Sequence, residues 1–194
     1  MQLQNKVETK TDASIDESFK EEIVINENLI QEVEEYATSK MLEAIQIKDK
    51  LEKYAAIDKV KEYFKQYNME NRIQEFDVSS ATVELAAEAL GCEGKRIAKT
   101  LSFLVDDKAI LIVAAGDAKI DNPKYKQAFS CKAKMLSYEQ VEEMIGHAVG
   151  GVCPFAINEN VIVYLDESLK RFETVFFSCG SSNSAIELSI AELE

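Results

Sequence analysis

The chain has 194 residues, 46% of them hydrophobic and 29% charged, with a formal net charge of −13. That length carries one domain with a real core, and the composition is that of a soluble globular chain. The acidity argues against nucleic-acid affinity through bulk charge, and no apolar run reaches the roughly 18–20 residues needed to cross a bilayer.

In chain order, residues 1–25 read as a polar, acidic leader, flexible or loosely docked. Between residues 28 and 67 the apolar residues Leu29, Ile30, Val33, Tyr36, Met41, Leu42, Ile45, Ile57, Val60 and Phe64 fall at helical spacing. The reading is two or three helices with breaks near Ser39 and near Ile57-Asp58, packed on a core or a partner. Ile73 to Phe76 is a short strand candidate. Ser79-Ser80 offers an N-cap for a helix through Leu90, closed by Gly91 at C′. Ile97 to Val105 and Ala109 to Ala115 are β-rich runs joined by Asp106-Asp107-Lys108, a predicted hairpin. Asn122-Pro123 opens a short helix to about Phe129. Lys132 to Leu136 is a possible strand, and Ser137 to Gln140 matches a capping box for a helix that stops at Gly146. Val161 to Leu165, Phe172 to Cys179 and Ala185 to Leu188 are strand-like. Interleaved α and β elements with a hairpin disfavour a purely parallel doubly wound sheet.

Charge is uneven along the chain. Residues 1–40 hold four Lys/Arg against ten Asp/Glu, whereas residues 91–135 hold nine against five. An acidic protein with one basic segment can still present a local phosphate-facing surface. Four well-separated cysteines, with no C-x-x-C pair and a single histidine, give no zinc spacing and are read as reduced thiols. Residues 1–6 lack the hydrophobic stretch of a secretory signal, so the expected compartment is the cytoplasm.

The densest segment is Gly146-His147-Ala148-Val149-Gly150-Gly151-Val152-Cys153-Pro154-Phe155. Adjacent glycines free the backbone to expose amides, and Pro154 stiffens the exit of the loop, which suits holding a carbonyl or an oxyanion; the plain alternative is a tight turn into a strand. Alternation places Lys99 with Ile97, Leu101, Phe103 and Val105 on an apolar strand face. Its ammonium either snorkels to the sheet edge or enters a cleft to meet an anion. Thr100 faces the other way. Asp166, after an apolar strand, is an N-cap or a rim residue. Ser178, Gly180, Ser181 and Ser182 form a turn or a pocket wall. His147 has no catalytic partner at a telling spacing, and Cys153 reads as a buried thiol unless a base lies beside it.

Several of these short motifs occur together in one order: Ser80-Ala81-Thr82, Gly91, Ile97-Ala98-Lys99-Thr100-Leu101, Ala115-Gly116-Asp117, Gly146 to Phe155, Tyr164 to Leu169 and Cys179-Gly180. In this the chain resembles the YbaK family, which includes the editing domain of bacterial prolyl-tRNA synthetase and its freestanding relatives. The resemblance covers residues 58–194 and leaves 1–57 as an acidic, mostly helical N-terminal extension. It implies an α+β fold with a mixed, barrel-like curved sheet flanked by helices, and hydrolysis of wrong amino acids from tRNA(Pro) without a cofactor or metal. It also implies that Lys99 is the cationic anchor and that the Gly150, Gly151 and Pro154 loop presents amides to the aminoacyl carbonyl. Ser80, Thr82, Thr100, Asp166, Ser178 and Gly180 are then substrate-binding. The implied partners are aminoacyl-tRNA(Pro) and, through it, prolyl-tRNA synthetase, with no DNA and no membrane. Other readings stay open: a non-catalytic tRNA- or protein-binding regulatory module on the same fold, and a redox protein using Cys153 and Cys179.

Overall fold

The computed structural model describes residues 17–193, with side chains from residue 28 onward apart from residue 53. The chain divides into two compact units, Met1–Asp49 and Lys50–Glu194. The first secondary-structure element is one long helix, α1 (Glu17–Lys65). The expected breaks near Ser39 and Ile57-Asp58 are absent, because neither glycine nor proline occurs before Gly91 and a lone serine does not end a helix. Helix α1 gives way at Asn68, which takes φ +56°. The expected leader of residues 1–25 lies partly outside the described residues; from Glu17 it is helix. Ile57, Val60 and Phe64 are buried, but Leu29, Ile30, Val33, Met41 and Leu42 are exposed.

The second unit continues with β1 (Gln74–Glu75) and α2 (Val83–Leu90). Thr82, not Ser79 or Ser80, caps α2: its Oγ1 accepts from Leu85 N at 3.3 Å, and Gly91 closes the helix in the left-handed conformation. Ser80 lies two residues before that position, its N–H donating to Ser182 O far along the chain. The hairpin β2 (Ile97–Val105) and β3 (Lys108–Ala115) forms as expected, turning through Asp106 and Asp107 at positive φ. Helix α3 (Asn122–Phe129) is capped by Asp121, and α4 (Tyr138–Ile145) carries the full Ser137/Gln140 capping box. Then come β4 (Ile162–Leu165), β5 (Thr174–Ser178), β6 (Ser184–Ser189) and α5 (Ile190–Leu193). Lys132 to Leu136 makes only an isolated bridge, Met135 to Phe103.

The six strands form one mixed sheet in the order β1-β6-β5-β2-β3-β4. Pairs β2/β5 and β3/β4 are parallel and the rest antiparallel. Period-two alternation assigns the two faces. Ala98, Val113, Val175, Phe177, Ile186 and Leu188 pack with Val60 and Phe64 of α1, and Leu111 packs with Val141 and Ile145 of α4. On the other face, Phe103, Ile110 and Ile112 meet Tyr125 of α3, while Ile97 and Phe176 meet Ala86 of α2. Helices thus cover both faces of the sheet. Among the described residues no helix is long and apolar enough to cross a membrane.

Candidate active site

Strands β2 and β5 pair over only two residues, Ile97 with Phe176 and Ala98 with Phe177. Beyond Ala98 the edge of β2 is taken up by another segment: Leu136 N donates to Ser102 O at 3.2 Å and Leu104 N to Lys134 O at 2.9 Å. Backbone polar groups alternate sides along a strand, so Thr100, two residues before Ser102, turns its N–H and C=O into the gap. That gap opens as a cavity of about 490 Å³. Small side chains line it along the sheet, namely Ala98, Thr100 and Ser102 from β2, Ser178 from β5 and Ser184 and Ala185 from β6, while larger apolar ones such as Leu90, Leu101, Met135 and Phe176 complete the wall.

Three loops meet at its mouth. Ser80 N donates to Ser182 O at 2.6 Å. Gly150, at φ +91°, sits so that a Cβ would lie 3.4 Å from Ala81 Cβ and 3.5 Å from Ser182 Cβ. Gly151 lies against backbone, where a Cβ would come within 2.6 Å of Ser181 N. The Gly151 N–H is already engaged by Ala148 O at 3.1 Å, whereas the Gly150 N–H has no acceptor among the described residues. Ser178 Oγ donates to Ser181 O at 3.1 Å, and the Ser181 and Ser184 hydroxyls are 2.8 Å apart, which holds the third loop.

Lys99 lines the cavity, and its Nζ donates to Gly116 O at 3.0 Å and to Ala118 O. An ammonium has three protons, so one donor is left for a ligand. Asp117, between those carbonyls, is turned to Arg171, with Nη1 to Oδ2 at 3.0 Å; that hydrogen-bonded pairing is the main cause of its carboxyl lying below the usual range. Lys99 itself forms no ion pair among the described residues.

Of the residues expected at the site, Ser80, Thr82, Lys99, Thr100, Gly150 and Ser178 are brought together on one cavity. Gly151 and Gly180 pack on each other behind its wall, and Pro154 does not line it. Asp166 does not line it either: its N–H donates to Val113 O at 2.8 Å and its Oδ1 accepts from Ser168 N at 2.9 Å, the N-cap geometry. His147 is buried and structural. Its Nε2–H donates to Phe155 O at 2.8 Å, fastening one end of the glycine loop to the other, and burial lowers its pKa. Cys153 does have a base beside it, with His147 Nε2 3.7 Å from its Sγ, but that nitrogen donates to Phe155 O, and desolvation of the fully buried thiol pushes it up to about 12, far from a reactive thiolate. Ser102 and Ser184 escaped the sequence reading. A signal for the first existed: Ala98, Thr100 and Ser102 are three small residues in a row on one strand face, which leaves space where large residues would fill a core.

The sequence profile described as the aminoacyl-tRNA editing domain matches residues 78–194. The chain is 58% identical over 139 residues to the uncharacterized protein YwhH of Bacillus subtilis (strain 168), covering 71% of this chain and 88% of that one. It is 28% identical over 102 residues to proline–tRNA ligase of Leuconostoc citreum (strain KM20), a match over 52% of this chain but only 18% of the ligase. Among solved structures, one described as a candidate trans-editing enzyme for prolyl tRNA synthetase is 27% identical, with TM-score 0.65, over 71% of this chain and 88% of that chain. On the extent of the profile match and the identity to YwhH, the chain belongs to the aminoacyl-tRNA editing domain family.

Proposed function

We propose that the protein is a freestanding deacylase that removes a small, wrongly attached amino acid from tRNA(Pro) in the cytoplasm. In this reading residues 58–194 are the editing domain and residues 1–57 an extension. The observation that carries it is one cavity that brings together the Lys99 cation, which forms no ion pair among the described residues, and the unengaged amide of Gly150. A synthetase pocket shaped for proline rejects a smaller side chain weakly, since a missing methylene is worth only about 1–3 kcal/mol. A second site that admits the smaller side chain and excludes proline corrects that error.

In the reaction, water adds to the ester carbonyl carbon. The bond from that carbon to the ribose oxygen then breaks, releasing the free amino acid and the tRNA hydroxyl. The N–H groups of Gly150 and Thr100 receive the carbonyl oxygen as it gains charge. The third proton of Lys99 holds the terminal phosphate or the ester oxygen, and the hydroxyls of Ser80, Ser102 and Ser178 accept from the α-ammonium group. An aminoacyl ester is already activated, so orientation and oxyanion stabilisation suffice without a protein nucleophile. The buried Cys153 and His147 are consistent with that.

The test is a panel of tRNA(Pro) charged with alanine, cysteine, serine or proline. Hydrolysis of one or more small residues with prolyl-tRNA(Pro) spared is the expected result. No hydrolysis above buffer for any species overturns the catalytic reading, and binding without turnover favours a regulatory module. Co-elution with prolyl-tRNA synthetase only when tRNA is present is the companion expectation for the partner.

A further inference from the structure

Both ends of one basic segment are built into the cavity. At its start, Ala118 O holds the ammonium of Lys99. At its end, Lys134 O and Leu136 N are bonded to β2, and Met135, Leu136 and Tyr138 line the cavity. Between Ala118 and Tyr138 the chain carries Lys119, Lys124, Lys126, Lys132 and Lys134, and Asp121 is the sole acidic residue. All five lysines are exposed, and none joins an ion pair among the described residues. By contrast, Lys40, Lys61, Lys65, Lys95 and Lys170 are each paired with a glutamate. Asp121 itself is turned inward on the backbone, its Oδ1 accepting from Lys124 N at 3.0 Å. In a chain of net charge −13, five uncompensated cations in one short segment are not a solvation requirement.

We infer that the segment from Lys119 to Lys134 is the surface that grips the RNA phosphodiester backbone leading to the cavity. The inference rests on the proposed function for the identity of the RNA, but its chemistry is tested separately. Lysine is a flexible point charge without the planar fork that reads base edges, so this surface positions RNA and does not read its sequence. The first of these cations, Lys119, directly follows the residue whose carbonyl holds the anchoring ammonium, so the basic segment starts beside the group proposed to meet the terminal phosphate. The acidity of the remaining chain adds orientation: elsewhere the protein repels RNA, and the basic strip is where approach is attractive.

Binding of uncharged tRNA(Pro) transcript, measured by fluorescence anisotropy across 50–200 mM salt, tests this without any catalysis. Counterion release gives a log–log salt slope of about −0.7 to −0.9 per phosphate contact, so five contacts lose about 100- to 500-fold in affinity over that range. Replacing all five lysines by glutamine is expected to abolish most of that slope and to weaken binding at 50 mM by a similar factor. The triple variant Lys124→Gln, Lys126→Gln, Lys134→Gln should remove about three contacts' worth of slope. Circular dichroism confirms that each variant is folded, and the triple variant serves if the quintuple one is not. The control triple Lys65→Gln, Lys108→Gln, Lys170→Gln should leave the slope unchanged. Unchanged binding in the quintuple or triple variant, or an equal loss in the control, overturns the inference. If the quintuple variant loses binding while no charged tRNA is hydrolysed by the wild type, the surface stands and the deacylase reading falls. If charged tRNA is hydrolysed with the same KM by both, the reverse holds.

Discussion

Replacing Lys99 by methionine isolates the charge, since the stem keeps its length and packing while the ammonium is lost. Two effects separate. For stability, the variant loses the contacts to Gly116 O and Ala118 O. Hydrogen bonds to charged groups are worth about 1.5–3 kcal/mol each, but both carbonyls lie in a partly exposed loop where water replaces the cation, so the net cost is about 1–2 kcal/mol. In a domain of this size that lowers the melting temperature by roughly 2–8 °C. For activity, loss of one donor aimed at developing charge costs about 10²–10³-fold in kcat. Single-turnover deacylation of alanyl-tRNA(Pro), alongside steady-state kcat and KM, gives the comparison. A fall in kcat with KM little changed assigns the ammonium to the transition state; a rise in KM alone assigns it to holding the tRNA phosphate. Lys99→Arg should not restore activity, because the longer guanidinium holds its donors in one plane and cannot aim them at the two carbonyls and the ligand from the point where the compact ammonium sits. A folded Lys99→Met enzyme within threefold of wild type on both parameters would remove Lys99 from the mechanism and, with it, the central claim about this cavity.

Gly151→Ala puts a Cβ within 2.6 Å of Ser181 N and 2.5 Å of Gly180 C, backbone that cannot swing aside. Overpacking of that kind costs about 1–3 kcal/mol, visible as a lower urea midpoint together with lost deacylation, and an unchanged midpoint would refute the close packing of these loops. His147 is the chain's single histidine and burial lowers its pKa from 6.5, so the unfolded state binds the proton first. Stability is therefore full above about pH 6.5 and declines as pH falls from there toward the folded-state value; urea unfolding from pH 8 to 5 should show the decline, and His147→Phe should remove that component. With an aromatic disulfide reagent at pH 8, the partly exposed Cys92 and Cys131 should react in the native protein while the buried Cys153 and Cys179 wait for unfolding. Native-state reaction of Cys153 would contradict its place in the core.

What was legible in the sequence was what short-range chemistry decides. The β2/β3 hairpin, the Gly91 stop and the Ser137/Gln140 box each depend on residues within a few positions of one another, and each forms as read. The choice among Ser79, Ser80 and Thr82 as cap was not legible, because all three are cap-forming residue types, and the segment before α2 is also tied to Ser182 about a hundred residues away. The same distance problem hid Ser184. The division of α1 failed for a different reason: its apolar residues drift around the helix, which mimics a break, when the absence of glycine and proline was the stronger signal. Motif order placed Lys99, Gly150 and Ser178 together, but it carried Asp166 along. Asp166 sits beside those motifs in sequence, while in space its carboxylate is engaged by the Ser168 amide.

The cavity and its chemistry have one origin. A strand in the middle of a sheet normally has both edges satisfied, and backbone groups left without partners in a buried place are costly. Here β2 is paired with β3 along its length, but its other edge is shared: Ile97 and Ala98 go to β5, and Ser102 and Leu104 go to the segment around Lys134 and Leu136. Thr100 falls in the handover between the two. A large side chain at Ala98, Thr100 or Ser102 would close the gap and dry it, leaving those groups stranded; small ones keep it wet and open. The unfilled hydrogen bonds of the sheet thus become the donors and acceptors of the site, beside a lysine whose own two bonds fix where its third points. An ester carbonyl and its α-amino group offer one acceptor and one donor set of the size this handover leaves, so a bound aminoacyl group would complete the sheet that the fold leaves incomplete.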